Sequence, residues 1–402
     1  MLIRLAIKSL MSRRGAVLLT VMAMALSVMV LLSVEHLKHQ VKKGFTQTVS
    51  GVDLIVGPRT TDINLLLYSI FHIGAPTHDI SAQTYQALTT HPDVAWTVPI
   101  ALGDSHRGFR VIGTTKDYFR RYHYGQKQAL QWQQGRVFER TFEVVLGQTV
   151  AQSLGYQVGD KLLLSHGFGQ HSFQQHERYT FTVSGILSST ATPVDQTVFA
   201  SLQGIEAIHR STPSKDIPLE TSEVTMAVAA ALLGVKSKAA TFKVQRAVSR
   251  YRHEPLTAVL PGVALMTLWQ TLANVEKGLS VMSVLVLVAS LLGMSAMLLS
   301  ASHARQQEMQ LLRIIGASPW YLFGLIALEA LLITSISLLI GLVLVLLGLH
   351  LAQTQLLAHL SINIAQLALT PMMLKMIVLL YGLTILASLL PAWRSYQQVK
   401  QG

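Results

Sequence analysis

Histidine is the residue type best placed to do chemistry in this chain. Of its 15 histidines, twelve fall between residues 36 and 277, and His166, His171 and His176 recur every five residues in a stretch rich in Gly, Gln and Ser. Neutral imidazole is the commonest protein metal ligand, so a loop could gather these three around zinc or copper as a weak site. Five-residue spacing puts them on no single helix face, and a solvated polar loop explains the same composition. Glu329 is the second candidate, a lone acid in an otherwise apolar run. An ionisable group there is a functional candidate by default, either pairing with a basic residue or a partner chain, or relaying a proton or ion. Lys375 and His350 stand near the ends of apolar runs, where long or amphipathic side chains reach water.

Other chemistries lack their residues. No G-x-x-x-x-G-K-[ST] is present, so the chain carries no P-loop for nucleotide. H-E-x-x-H and G-x-S-x-G are absent too. Gly167-Phe168-Gly169 is a G-x-G in a polar loop, without the strand and helix that a dinucleotide site requires. No carboxylate pair or nucleophile–base set emerges, so no catalytic residue is assigned. With no cysteine, neither a disulfide framework nor a thiolate metal site is possible.

Composition explains why. Half of the 402 residues are hydrophobic and only 13% are charged, against about 25% in ordinary soluble domains, and mean hydropathy is +0.43. The deficit is local. Apolar runs at 15–34, 278–301, 320–349 and 372–391 are each long enough for a membrane-spanning helix. The first follows a basic amphipathic start, residues 1–14, with Ile3, Ala6, Ile7 and Leu10 at helical spacing. A secretory signal shares that layout, but this run is longer than a signal core, and Ser33-Val34-Glu35-His36 lacks a small-x-small cleavage pattern. It reads as an uncleaved span.

Four spans place both termini on one side. Arg4, Lys8, Arg13, Arg14, Arg305, Arg313, Arg394 and Lys400 collect there, against Glu308 alone. That is the positive-inside pattern, which makes the termini and the central turn cytoplasmic. Lys38, Lys42 and Lys43 run against it, but they border a large domain, where the rule loses force. The net charge of +12 therefore answers to anionic lipid rather than to nucleic acid, despite its general affinity for phosphate backbones.

Residues 35–277 form a water-soluble insert between the first two spans. Val94–Leu102, Phe109–Thr114, Glu143–Gly147, Lys161–Ser165 and Tyr179–Leu187 read as strands; Ser81–Thr90, Gln148–Leu154, Ala239–Tyr251 and Gly262–Lys277 read as helices. Val224–Leu233 reads as a strand or a buried helix, and Ser211–Ser222 as a flexible loop. The expected fold is four transmembrane α-helices with a large extracytoplasmic α/β (α+β) domain between helices one and two.

Between the second and third spans, residues 302–319 are polar. Met309, Leu312 and Ile315 lie at helical spacing, Gly316 suits a C-cap and Pro319 suits a first helical turn. Arg305-x-x-Glu308-x-x-x-Leu312-Arg313-x-Ile315-Gly316-Ala317-Ser318, with Glu329 beyond it, resembles the recurrent signature of the FtsX/MacB/LolC-like ABC transporter permeases. The four-span layout with one large insert is similar to theirs. So are Val144-Val145-Leu146-Gly147, Val158-Gly159-Asp160-Lys161, Phe181–Leu187, Asp195 before Val198-Phe199, and Pro391-Ala392-Trp393 at the exit of the fourth span.

The resemblance implies a type VII, mechanotransmission permease. Residues Arg305, Glu308, Met309, Leu312, Arg313, Ile315, Gly316, Ala317 and Ser318 would form a coupling helix docked on a separate ABC ATPase dimer. That partner would hold ATP and Mg, and this chain would bind no cofactor of its own. A second permease copy, identical or related, would complete the complex in the bacterial inner membrane. Stalk helices Val34–Thr48 and Gly262–Lys277 would carry motion to a MacB-like domain in the periplasm, residues 350–371 would form a short outer loop, and 392–402 a cytoplasmic tail. Unlike MacB, the chain has no fused ATPase domain, and its insert is longer than that of the cell-division member. Expected substrates are a lipoprotein, a peptide or a toxic small molecule. The alternatives are a zinc-linked transport component using the His-rich loop, and a membrane-anchored ligand sensor.

Overall fold

The computed structural model describes residues 2–48, 51–125, 127–167, 174–209, 224–304, 319–360 and 370–401. Its helices are α1 (Leu2–Ser12), α2 (Arg14–Thr48), α3 (Asp62–Ile70), α4 (Ala82–Thr89), α5 (Asp117–Arg121), α6 (Gln148–Leu154), α7 (Leu202–His209), α8 (Lys238–Ser249), α9 (Pro261–Ala304), α10 (Pro319–Leu360) and α11 (Pro371–Gln401). Two compact units divide the chain. One comprises 1–40, 273–356 and 363–402, the other 41–272 with 357–362.

The first unit is helical because its sequence leaves no other choice. Stretches of Arg14–Gln40, Pro261–Ala301, Phe323–Leu351 and Pro371–Leu389 are long and apolar enough to cross a membrane, and in hydrocarbon every backbone N–H and C=O must be satisfied within the segment. The helices outrun the apolar runs. Past Leu349, where a loop is expected from residue 350, α10 continues to Leu360, and α11 carries the expected tail in helix to Gln401. Polar side chains are compatible with the helical ladder, so the helix need not stop where the apolar run does.

The second unit is mixed α/β. Its strands are β1 (Leu54–Pro58), β2 (Val94–Ile100), β3 (Asp104–His106), β4 (Phe109–Thr114), β5 (His123–Tyr124), β6 (Gln128–Ala129), β7 (Trp132–Gly135), β8 (Glu143–Leu146), β9 (Lys161–His166), β10 (Gln174–Leu187), β11 (Thr197–Ser201), β12 (Ala230–Val235) and β13 (Leu256–Val259). Four of them make an antiparallel sheet in the order β13-β1-β12-β2. Period-2 alternation sorts its side chains. Leu54, Val56, Ala231 and Leu233 enter one cluster with Val244 and Val248 of α8, while Ile55, Leu232 and Val259 enter another with Leu65 and Leu66 of α3. Both faces are covered, which is why Leu54-Ile55-Val56 reads as a continuous apolar run rather than an alternating one.

A second sheet runs β7-β10-β8-β11-β4-β3-β9, and β9 also pairs with β10. The strip from β10 to β9 therefore closes on itself as a six-stranded ring, with β7 attached to the far end of β10. Closure removes sheet edges that would otherwise recruit foreign strands. It also explains the length of β10: its first part pairs with β9, and its last part with β8 and β7. The expected strand Tyr179–Leu187 is thus only the second half of a 14-residue strand. Where Val224–Leu233 was open between strand and helix, the chain makes an isolated bridge at Val228 and then β12. The expected flexible loop Ser211–Ser222 lies outside the described residues.

Side-chain caps fix the helix starts. Thr61, Ser81 and Ser237 accept from the backbone N–H three residues on, at 3.3, 3.2 and 3.3 Å, opening α3, α4 and α8. Gly155, at φ 71, ends α6 in the left-handed conformation that glycine adopts without strain.

Candidate functional site

Inside the helical unit the polar chemistry converges on Glu329. On α1, Ala6, Ser9 and Leu10 are buried while Ile3, Ile7 and Met11 are exposed, so the helix turns one definite stripe inward. Arg13 occupies the turn between α1 and α2, its N–H donating to the Leu10 carbonyl at 3.2 Å. Glu329 projects from α10 between Ile326 and Ala330 and is only 4% exposed. The Ser9 hydroxyl donates to Glu329 Oε1 in a very short contact. Arg13 Nη2 donates to Ser9 Oγ at 3.0 Å and lies 3.6 Å from Glu329 Oε2. Three residues from α1, the turn and α10 thus close one buried polar group.

The energetics follow from burial. An isolated carboxylate in an apolar bundle is strongly disfavoured, and Arg13 together with the Ser9 hydroxyl makes it tolerable. Removing one member of a buried pair is costly, because the remaining charge loses a partner in a poorly solvated place. The geometry sets Glu329 beside Arg13 and the Ser9 hydroxyl. From the sequence, either a basic residue or a partner chain could pair with Glu329, with no particular residue indicated. Part of its signal was there, since Ser9 lies on the inward stripe of a basic helix and Arg13 follows four residues later in the turn that ends it.

Around this group the unit packs on Met24, Val28, Leu291, Met294, Ile333 and Leu380, and small or hydroxylated residues set some of its closest helix contacts. A Cβ at Gly341 would sit 2.9 Å from the Ala25 carbonyl oxygen and 3.0 Å from Val28 Cγ1, so α10 needs glycine there to approach α2. Thr334 and Thr384 hydroxyls meet at 3.0 Å between α10 and α11, and Ser295 donates to the Ala387 carbonyl at 3.1 Å. Farther along α2, Lys38 pairs with Glu276 of α9 and lies 3.7 Å from Glu35.

Arg305, Glu308, Met309, Leu312, Arg313, Ile315, Gly316, Ala317 and Ser318 lie outside the described residues; Pro319, which closes that segment, opens α10. His171 lies outside them too. His166 ends β9, with Gln174 as its partner across the ladder, and His176 follows on β10, so the backbone brings these two to one hairpin. Among the described residues, no group of three or more His, Asp or Glu is arranged to hold a metal ion.

Several histidines of the mixed unit are structural instead. His106 is buried, its Nδ1 2.6 Å from the Leu163 carbonyl and its Nε2 3.1 Å from the Tyr156 hydroxyl. His209 lies 3.5 Å from Asp104, and that hydrogen-bonded carboxylate holds the imidazole pKa above its usual value. His72, at φ 57, is buried against Thr197, with Nδ1 2.9 Å from the Thr197 hydroxyl. Burial, with a smaller contribution from Arg110, pushes its pKa down to about 3. An open cavity of about 360 Å³ nearby is lined by Thr77, His78, Asp79, Asp104 and Arg110 among others.

Comparison with known proteins matches both parts of the chain. Residues 16–251 match the MacB-like periplasmic core domain, and residues 280–399 match the FtsX-like permease C-terminal segment. No curated protein matches the sequence. Among solved structures, the periplasmic region of MacB from Actinobacillus actinomycetemcomitans is similar over 56% of this chain and 94% of that one, at 10% identity and a TM-score of 0.35. With more than half its length matched to the MacB-like core domain and the FtsX-like segment following it, the chain belongs to the FtsX/MacB-like ABC transporter permeases.

Proposed function

We propose that this membrane subunit of an ABC transporter works by mechanotransmission, turning ATP hydrolysis in a separate ATPase into movement of its core domain. The observation that carries the reading is the continuity of α9. Its 44 residues span about 66 Å at 1.5 Å per residue, roughly twice the hydrocarbon core. A helix that long, unbroken from Pro261 to Ala304, is a rod that passes displacement along its axis. It ends where the segment Arg305–Pro319 begins, and that segment is the expected contact with the ATPase. ATP and Mg belong to the partner, and no charge need cross the membrane through this chain. In this reading the protein sits in the inner membrane with both termini cytoplasmic, the core domain faces the periplasm, and a second permease copy completes the complex. The moving domain would extract or extrude an envelope substrate, such as a lipoprotein, a peptide or a toxic small molecule.

The test is to purify the tagged full-length chain in mild detergent and identify what accompanies it. An ABC ATPase at equal stoichiometry supports the reading, and Leu312→Asp should release that ATPase while leaving membrane insertion intact. If no ATPase accompanies the unaltered chain, or if Leu312→Asp retains it fully, the proposed coupling is wrong.

A further inference from the structure

Of the four spanning helices, α9 and α10 are joined directly to the segment 305–318, since one ends and the other begins there. The first span, α2, has no covalent link to that segment shorter than the whole core domain. Yet α2 continues unbroken to Thr48, so a machine of the proposed kind must move it in step with the others. Close packing, as at Gly341 against Ala25, holds α10 and α2 by shape, and a charged hydrogen-bonded group adds a contact with a fixed direction. The Ser9–Arg13–Glu329 group is directional. It lies near the start of α10, ten residues past Pro319, which is about 15 Å along the helix. Arg13 is itself the turn between α1 and α2, so whatever holds Arg13 to α10 holds the start of α2.

We propose that Ser9, Arg13 and Glu329 form a clasp that makes the start of α2 follow α10, with Glu329 as the positioning residue. The proposal rests on the mechanotransmission reading for its purpose, but the tether itself stands on the geometry. It accounts for an acid inside an apolar helix without any ion passing through the membrane. It also accounts for α1 being fixed with Ala6, Ser9 and Leu10 turned inward, since Ser9 supplies the hydroxyl that bridges the two charges.

The natural chain has no cysteine, so single labels can be placed cleanly. A fluorophore at Leu37→Cys, an exposed position on α2, reports nucleotide-dependent movement of α2 in the complex with its ATPase. Spin labels at Met11→Cys and Ile336→Cys, both exposed, report the separation of α1 and α10 in the full chain alone. Glu329→Gln or Arg13→Gln by itself unbalances the charge of the group and can fail to fold. The decisive variant is therefore Arg13→Leu with Glu329→Leu, since replacing a buried pair by apolar residues is often tolerated. Expected for this double variant are retained insertion, ATPase binding and ATP hydrolysis. The nucleotide-dependent Leu37 response is largely lost, and the Met11–Ile336 distance distribution broadens. A Leu37 response equal to that of the unaltered chain overturns the proposal. If the unaltered chain itself shows no ATPase or no response at Leu37, the mechanotransmission reading fails. The label pair then decides the tether alone: broadening in the double variant upholds it, and an unchanged distribution overturns it.

Discussion

His72 makes the core domain sensitive to acid in a way that can be worked through from its surroundings. The Thr197 hydroxyl has one hydrogen and donates it to the Pro193 carbonyl at 2.9 Å. His72 Nδ1, 2.9 Å from that oxygen, must therefore be the donor, which fixes the neutral Nδ1–H tautomer. Folded, the ring stays neutral down to about 3, whereas its ordinary value is 6.5. A depressed folded pKa means that the unfolded chain binds the proton first. Stability is thus intact above the unfolded value and is lost as pH falls from 6.5 toward 3. The slope is about 1.4 kcal/mol per pH unit, so the loss near pH 5 is about 2 kcal/mol, a factor of roughly 30 in the opening equilibrium. The control is His72→Asn, because asparagine tolerates the left-handed backbone at φ 57 and does not titrate. Limited proteolysis of the full chain near pH 7.5 and near pH 5 reads the opening directly. The natural chain should become about thirtyfold more susceptible than its own value at higher pH, over and above whatever change His72→Asn shows. Equal pH dependence in the two chains would refute the reasoning, because it would mean that His72 accepts a proton without leaving its place.

Two glycines of α10 offer a matched pair. Gly341→Val drives a side chain into the Ala25 carbonyl at 2.9 Å and should cost about 1–3 kcal/mol, seen as a lower melting temperature in detergent. At Gly348 the nearest atom to a Cβ is Met29 Cε at 3.6 Å, an ordinary contact, so Gly348→Ala should leave melting nearly unchanged. Lys38 and Glu276 are each more than a third exposed or close to it; a double-mutant cycle on the pair should give less than about 1 kcal/mol, falling with salt. A coupling well above that would mean that the pair is far better shielded from water than its exposure indicates.

What could be read from the chain by itself was whatever depends on local pattern. Apolar runs of membrane length, basic residues on one side of them and the signature around Arg305–Ser318 need no knowledge of neighbours. The strands of the core domain were legible where alternation or β-branched runs were strong, as at Val94–Ile100 and Phe109–Thr114. Leu54–Pro58 and Leu256–Val259 went unread, because short strands covered on both faces carry no period of their own. Closure of the ring through β9 and β10 was equally invisible, since strand pairing is decided between segments distant in sequence.

The same division holds for the site. Glu329 announced itself by type, as an acid that an apolar helix could not hold unpaired. Which residue would pair with it could not be read locally, for Arg13 and Ser9 stand more than 300 positions away. Their helix had to turn its Ala6–Leu10 stripe against α10 before they could meet. Burial sets the demand for a counter-charge, and a sequence displays that demand. Only packing of the spanning helices brings Arg13 and Ser9 to answer it.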